Sequence, residues 1–431
     1  MKRKIEAELL RWKQSPERQP LILDGARQVG KTYSLLKFAN EHYKNHVHVN
    51  LDINSRLRAL FMDDIESGYV VKLLEAEAQE RILPEETLII LDEIQASPRA
   101  LAALKYFCED RPEYHVAAAG SLLGVAVNRE SYSFPVGKVK TLRLFPLDFE
   151  EYLAARGEFF LIEEIKKAAA SGGPLAETLH LRAVGLYLEY LIIGGMPAAV
   201  NAVANGAGLR EIPELQAEIM DHYLADMAKY ATPTESVRIR ACYESLPAQL
   251  AKENRKFQYK VVQKGGSAAL FGASIDWLRF AGVVLKCQLT EQGRVPIVAY
   301  ADLSAFKLYF SDVGLLTMKT QLPHSLILSG ARSENAFLGP LAENYVAQQL
   351  AAQGYDLFYW ASNGRAELDF VIQSREKMLA IEVKKGLHTR SKSLNAFLSR
   401  YPGWAGARLS LKNFGGSGGV RAIPLYALFC L

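Results

Sequence analysis

The chain has 431 residues, 49% hydrophobic and 23% charged, with a formal net charge of +4. That length exceeds one ordinary core and predicts two to four domains, while so weak a basic excess leaves nucleic-acid contact to local patches. Cys108, Cys242, Cys287 and Cys430 are far apart and form no C-x-x-C pair, which argues against a disulfide frame or zinc site. No run approaches the ~20 apolar residues of a membrane span, so a cytoplasmic protein without membrane contact is expected.

The chain opens with MKRKIEAELLRW. Its apolar residues fall at helical spacing and it lacks the apolar core of a signal peptide, so it predicts an amphipathic helix. From Pro20 to Leu147, short apolar runs alternate with helical patterns. Strands are expected at PLILDG (20–25), HVHVNLD (46–52), TLIILDEI (87–94), HVAAAGS (115–121) and KTLRLFPL (140–147). Such alternation predicts an α/β fold with a mostly parallel sheet wrapped by helices.

GARQVGKT, residues 25–32, fits G-x-x-x-x-G-K-[ST] in the strand–loop–helix context the motif requires. Gly25 and Gly30 let the loop turn its N–H groups toward phosphate. Lys31 would reach the β- and γ-phosphates, and the Thr32 hydroxyl would bind Mg2+. The expected ATP contacts are Gly25, Ala26, Arg27, Gln28, Val29, Gly30, Lys31, Thr32 and Tyr33. Further on, TLIILDEIQ brings Asp92 and Glu93 out at the carboxyl end of a buried strand, where ligands of such sheets bind. Asp92 is expected to hold Mg2+, and Glu93 to polarise the attacking water. Ser121 ends the next strand and either senses the γ-phosphate or caps the following helix.

Residues 148–235 read as mainly helical, broken at SGGP (171–174) and GGMP (194–197). Residues 252–266 interleave Lys252, Arg255, Lys256, Lys260 and Lys264 with Phe257 and Tyr259. That stripe suits a phosphate backbone with stacked bases, and it equally suits a solvated charged face. A helix and a hairpin, VVLKCQLTEQGRVPIVAY, follow, with the turn near Gln292 and Gly293, compatible with a winged helix-turn-helix. Residues 272–280 would take the recognition position, yet they offer only Arg279 beside Asp276.

From about residue 325 the pattern gives a helix at NAFLGPLAENYVAQQLAAQ, then strands at YDLFYWAS, LDFVIQS and MLAIEVKK. GGSGG (415–419) reads as a flexible turn before a last strand, RAIPLYALF. Asp369 lies in one strand, with Glu382 and Lys384 on one face of the next. Two such carboxylates hold a divalent metal that activates water, and the lysine steadies the transition state. At ~6% for each charged type, chance supplies about one such match in a chain this long, so its weight comes from the two apolar strands that carry it. A second Mg2+ or a Mn2+ is expected on Glu343, Asp369 and Glu382, with Asp369, Glu382 and Lys384 performing cleavage. Glu367 and Arg365 stand close in sequence. A salt-bridged cluster, or a domain that binds without cutting, is the alternative.

GARQVGKT, LDEIQ, AAGS, FPVGKVKTLRLFPLDFEEYL, GGMP, FKLYFSDVGLL, LAENYV and LDFVIQSREKMLAIEVKK together resemble the AAA+ ATPases of bacteria and archaea with a PD-(D/E)xK nuclease-like C-terminal domain. The resemblance covers nearly the whole chain. It implies an additional-strand P-loop sheet with the two phosphate motifs on neighbouring strands, a winged helix, and a restriction-endonuclease-like α/β domain. The implied domains are 1–155 (ATPase core), 156–235 (helical), 236–325 (winged-helix-like) and 326–431 (nuclease-like). It further implies a homo-oligomer with shared ATP sites and action on nucleic acid, DNA before RNA. The alternative is an ATP-dependent switch or scaffold for a protein partner, with an inactive nuclease-like domain. One departure is Gly137-Lys138, where the family has Gly-Arg. Lysine lacks the guanidinium fork, so Arg129 or Arg143 would have to supply an arginine finger.

Overall fold

Five strands pair into one sheet: β1 (Leu21–Asp24), β2 (Asn45–Asn50), β3 (Thr87–Asp92), β4 (His115–Gly120) and β5 (Lys140–Arg143). Their order is β2-β3-β4-β1-β5, with every neighbouring pair parallel. The computed structural model describes all residues except 54–55, 57, 60, 62–64, 128–133, 363–365, 376, 387–391 and 418. β3 and β4 are buried at every position, which is why their sequences run apolar without alternation. The helix Pro98–Asp110 packs Leu101, Leu104 and Phe107 against Ile89, Leu91 and Val116. It starts with proline at its first turn and a Ser97 cap, whose Oγ accepts from the Ala100 N–H at 3.2 Å.

The two phosphate motifs are not on neighbouring strands, contrary to the expectation. β4 lies between β1 and β3. Its small apolar run, VAAAG, can be buried on both faces and so takes the centre. The consequence is functional: the carboxyl end of β4, with Ser121, falls between the loop after β1 and the acids after β3. These elements lie in a unit formed by Lys2–Phe145 with Phe280–Gly282.

The second unit comprises Pro146–Arg279 and Val283–Leu431. Its first part is helical. Phe159–Ser171 stops at Gly172, in left-handed backbone at φ 69°, and Glu177–Ile193 stops before GGMP, whose proline opens Pro197–Ala204. Two longer helices, Ile212–Lys229 and Pro233–Leu250, follow. The second part builds an eight-stranded mixed sheet from β6 (Val284–Thr290), β7 (Ala301–Phe310), β8 (Phe358–Ser362), β9 (Ala366–Gln373), β10 (Met378–Val383), β11 (Ala405–Ser410), β12 (Gly415–Ser417) and β13 (Val420–Pro424). Their order is β12-β13-β11-β10-β9-β8-β6-β7. The helix Leu338–Ala352 precedes β8, and the helix Lys392–Arg400 lies between β10 and β11. Among the described residues no helix is long and apolar enough to cross a membrane.

Three local expectations change. The hairpin read as a wing does not stand apart: β6 pairs parallel with β8, so β6 and β7 form the edge of the large sheet across the expected boundary at 325/326. The return strand starts at Ala301 rather than in VPIVAY, because Pro296 cannot donate to a ladder and Ile297–Tyr300 coil into a short 3-10 turn. GGSGG is no open turn: its first residues form β12, antiparallel to β13, and LYALF coils into a 3-10 turn after β13.

Several shared motifs meet in a buried polar hub of this unit. Asp312, fully buried, accepts from the Gly195 N–H at 2.6 Å, the Leu315 N–H at 3.1 Å and Gln348 Nε2 at 3.2 Å. The Val313 N–H donates to Gln348 Oε1 at 2.8 Å, and Phe149 N–H to Gln349 Oε1 at 2.9 Å. Gly195 has no side chain because a Cβ there would overlap the Leu147 carbonyl. GGMP, SDVG, the PLDF turn and the AQQ of the long helix are therefore bound together by packing and hydrogen bonding.

Candidate functional site

The loop after β1 turns at once into the helix Lys31–His42. Gly25 is required there, since it sits at φ 154° and any Cβ would run into the Leu144 carbonyl. Gln28 and Gly30 also take positive φ, 65° and 93°, so the loop curls back on itself. Arg3, buried, ties the loop down by donating to the carbonyls of Val29 at 3.0 Å and Phe145 at 2.7 Å. Residues 280–282 also lie against it, Gly282 next to Ala26 and Phe280 beside Gly124. Lys31 Nζ donates to the carbonyls of Gly25 at 2.9 Å and Ala26 at 2.7 Å, which holds the ammonium inside the loop. Burial lowers Lys31 to about 8, against the pull of Glu93, Asp24 and Asp92. Tyr33 is 54% exposed beside the loop.

Thr32 and Asp92 lie together, Thr32 Oγ1 donating to Asp92 Oδ2 at 2.9 Å. His48 of β2 approaches the same oxygen with Nε2 at 3.3 Å, and the Glu93 N–H donates to Oδ1 at 3.0 Å. Burial opposes the Asp92 charge, but the bonds from His48, Thr32 and Glu93 prevail and hold its carboxyl below the usual range. Glu93 takes left-handed backbone at φ 52°, ψ 46°, rare for a non-glycine residue and a mark of functional sites. Its Oε2 accepts from Gln95 Nε2 and from Ser121 Oγ, the latter at 3.3 Å. The donor set fits Mg2+: the ion would be held by the hard oxygens of Thr32 and Asp92.

The arginine-finger candidates divide. Lys138 is at the surface and bonds Glu109 at 2.9 Å. Arg143 pairs in register with Asp24 and lies over the Phe145 ring at 5.3 Å. Arg129 lies outside the described residues.

In the second unit, Glu343 and Asp369 lie with the cations Arg255 and Lys307, and Glu382 and Lys384 pair on the neighbouring strand end. Arg255 donates to Glu343 Oε1, and Tyr309 OH donates to Oε2 at 3.3 Å. Lys307, fully buried on β7, bonds Glu367 at 2.5 Å and stands 4.0 Å from Glu343. Asp369 Oδ2 accepts from the Val383 N–H at 2.7 Å, and Lys384 bonds Glu382 at 2.8 Å. Arg408 of β11 is the register partner of Glu382. Burial and the Asp369 charge push Glu343 up to about 7, against Arg255 and Lys307.

This corrects one expectation. Arg255 and Phe257 do not belong to a solvent-facing basic stripe: Phe257 is buried and stacked on Phe306 at 5.5 Å, because the segment folds against β7. Glu343 lies beside Asp369, and the Asp369 carboxylate bonds the backbone N–H that follows Glu382. Their carboxylates are taken by Arg255, Tyr309, the Val383 N–H and Lys384, although Glu382 Oε2 is buried without a partner. Arg365 lies outside the described residues.

Residues 17–153 match the family described as an AAA domain. With the sheet order and the site geometry, this makes the first unit an AAA-type P-loop ATPase domain. Two families described as domains of unknown function match further on, DUF8612 over residues 184–325 and DUF4143 over residues 338–428. No curated protein matches the sequence. Solved structures similar to this chain include the Walker-type ATPase PABY2304 of Pyrococcus abyssi, at 14% identity and TM-score 0.44, covering 74% of this chain and 95% of that one. The ORC1 protein of Aeropyrum pernix in complex with DNA matches at 14% identity and TM-score 0.29, over 75% of this chain and 94% of that one. AMPPCP-bound DnaA of Aquifex aeolicus matches at 9% identity and TM-score 0.31, over 65% and 89%. Superpositions this loose leave the assignment to the family match and the site itself.

Proposed function

We propose that the chain binds Mg2+-ATP at residues 25–33, hydrolyses it, and couples the cycle to action on nucleic acid, DNA before RNA. The observation that carries the hydrolytic part is the chain of hydrogen bonds joining Thr32, Asp92, Glu93 and Ser121, whose acids act on the Lys31 charge. Lys31 and the loop N–H groups bind the β- and γ-phosphates. Bound Mg2+ supplies charge neutralisation at those phosphates. Glu93 polarises the attacking water, and Ser121 and Gln95 fix the carboxylate that does so.

The nucleic-acid part is supported by the element order helix, β8, β9, β10, helix, β11, and by Asp369 and Glu382 on adjacent strands with Glu343 on the preceding helix. That arrangement is the one a PD-(D/E)xK nuclease uses, and it supports reading residues 326–431 as nuclease-like. A second reading, an ATP-dependent switch for a protein partner, is favoured by the burial of Phe257 and by the engagement of Arg255 with Glu343. Labelled single-stranded, double-stranded and branched DNA, with and without ATP and Mn2+, separates the two. The first predicts binding or cleavage altered in Asp369→Ala and Lys31→Ala; no DNA binding under any condition leaves the second.

A further inference from the structure

We propose that Arg3 is a positioning residue for phosphate binding: its guanidinium sets the spacing between the two ends of the loop 25–32, which makes the first helix part of the nucleotide site. The inference rests on the reading of that loop as an ATP site.

Arg3 stands two residues before the helix Ile5–Gln14 and is 6% exposed. Its Nη1 donates to the Val29 carbonyl at 3.0 Å and its Nη2 to the Phe145 carbonyl at 2.7 Å. Val29 lies toward the far end of the loop, between Gln28 at φ 65° and Gly30 at φ 93°. Phe145 stands behind the near end, since the carbonyl of its neighbour Leu144 fills the place a Cβ on Gly25 would take. One guanidinium therefore ties both ends, one nitrogen to each, and its planar fork fixes their separation.

A loop that turns N–H groups toward phosphate has to turn carbonyls elsewhere, and a buried carbonyl needs a donor. Lys31 serves the carbonyls of Gly25 and Ala26. Arg3 serves that of Val29, in a buried bond. The Val29 carbonyl and the Gly30 N–H share one planar trans peptide and point to opposite sides of it, so holding the carbonyl aims the N–H. The arginine starts from a backbone that is itself held. Glu6 accepts from the Arg3 N–H at 3.0 Å and from Lys37 Nζ at 2.6 Å, and Lys37 lies on the helix that follows the loop. Leu9 and Trp12, both buried, seat the rest of the first helix.

Calorimetric titration of the full-length chain with ATP, with urea midpoints in parallel, tests this. Arg3→Met should weaken ATP binding at least ~tenfold, as loss of two bonds from a charged donor requires. Arg3→Lys should recover only part of that, because an ammonium keeps the charge and loses the fork. Lys37→Met cuts the other tie of the helix and spares Arg3, so it should lower the urea midpoint and leave ATP affinity unchanged. Equal affinity in wild type and Arg3→Met, full recovery in Arg3→Lys, or an equal loss in Lys37→Met would overturn the proposal. A wild type that binds no ATP would overturn the ATP reading and the proposal together. Hydrogen exchange tests the same point without a substitution. The amides of Glu6 and Ala7 donate to the carbonyls of Arg3 and Lys4, and by reciprocal linkage ATP should slow their exchange. Unchanged exchange there at saturating ATP would overturn the proposal, whether or not Arg3→Met folds.

Discussion

Ser121→Ala separates two roles for one hydroxyl. In the structure Ser121 Oγ donates to Glu93 Oε2 at 3.3 Å, sharing that oxygen with Gln95. A hydrogen bond to a charged acceptor contributes about 1.5–3 kcal/mol, and the length here favours the lower end. If that bond holds the Glu93 carboxylate on the attacking water, removing it slows the chemical step roughly tenfold. KM for ATP should hold, because the partner of Ser121 is Glu93 and not the loop that carries the phosphates. Steady-state hydrolysis at saturating Mg2+, with Tm recorded in parallel, gives both numbers. A Ser121 that merely caps a helix would behave in the opposite way, losing ~1 kcal/mol of stability with kcat intact. An unchanged kcat refutes the positioning role.

Asp312→Ala should strip the hub of an acceptor for three donors, at ~1–3 kcal/mol each and about 3–9 kcal/mol if they add. Burial pushes the Asp312 carboxyl up to about 6 from 3.8, so its stabilising contribution is fully present below about pH 4 and is lost as pH rises through 6. Urea midpoints followed by tryptophan fluorescence should show a larger loss at pH 5 than at pH 8, and a pH-independent loss would reject the assignment. Lys138→Ala should leave ATP turnover unchanged, because Lys138 pairs with Glu109 at the surface; a tenfold fall would instead place it at an active site. Thr32→Val should raise the Mg2+ needed for half-maximal turnover while leaving metal-free nucleotide binding intact, as nucleotide titration in chelator would show.

The candidate nucleotide site is legible in the sequence because its determinants are local. Gly25, Gly30, Lys31 and Thr32 lie within eight residues of one another, and Asp92 and Glu93 end an unmistakable buried strand. What was not legible was lateral order. Nothing in HVAAAGS says that it inserts between β1 and β3, and only that insertion brings Ser121 to Glu93. Arg3, His48 and Gln95 are hidden for the same reason, although His48 has a signal in the alternation of HVHVN, which puts both its histidines on one face. In the second unit the direction of a charged stripe is what the sequence does not carry. A stripe of arginine, lysine and aromatic residues reads the same whether it faces solvent or folds inward, and Phe257 and Arg255 fold inward. Lys307 was invisible as a cluster member because a lone lysine in FKLYF looks like the solvated half of an alternating strand, yet it is fully buried.

Nucleotide retention by Glu93→Gln tests the central claim most directly. Wild type should hydrolyse Mg2+-ATP, the variant should hold ATP without turning it over, and Lys31→Ala should do neither. Unchanged turnover in Glu93→Gln, or a wild-type chain that binds no ATP, would contradict it.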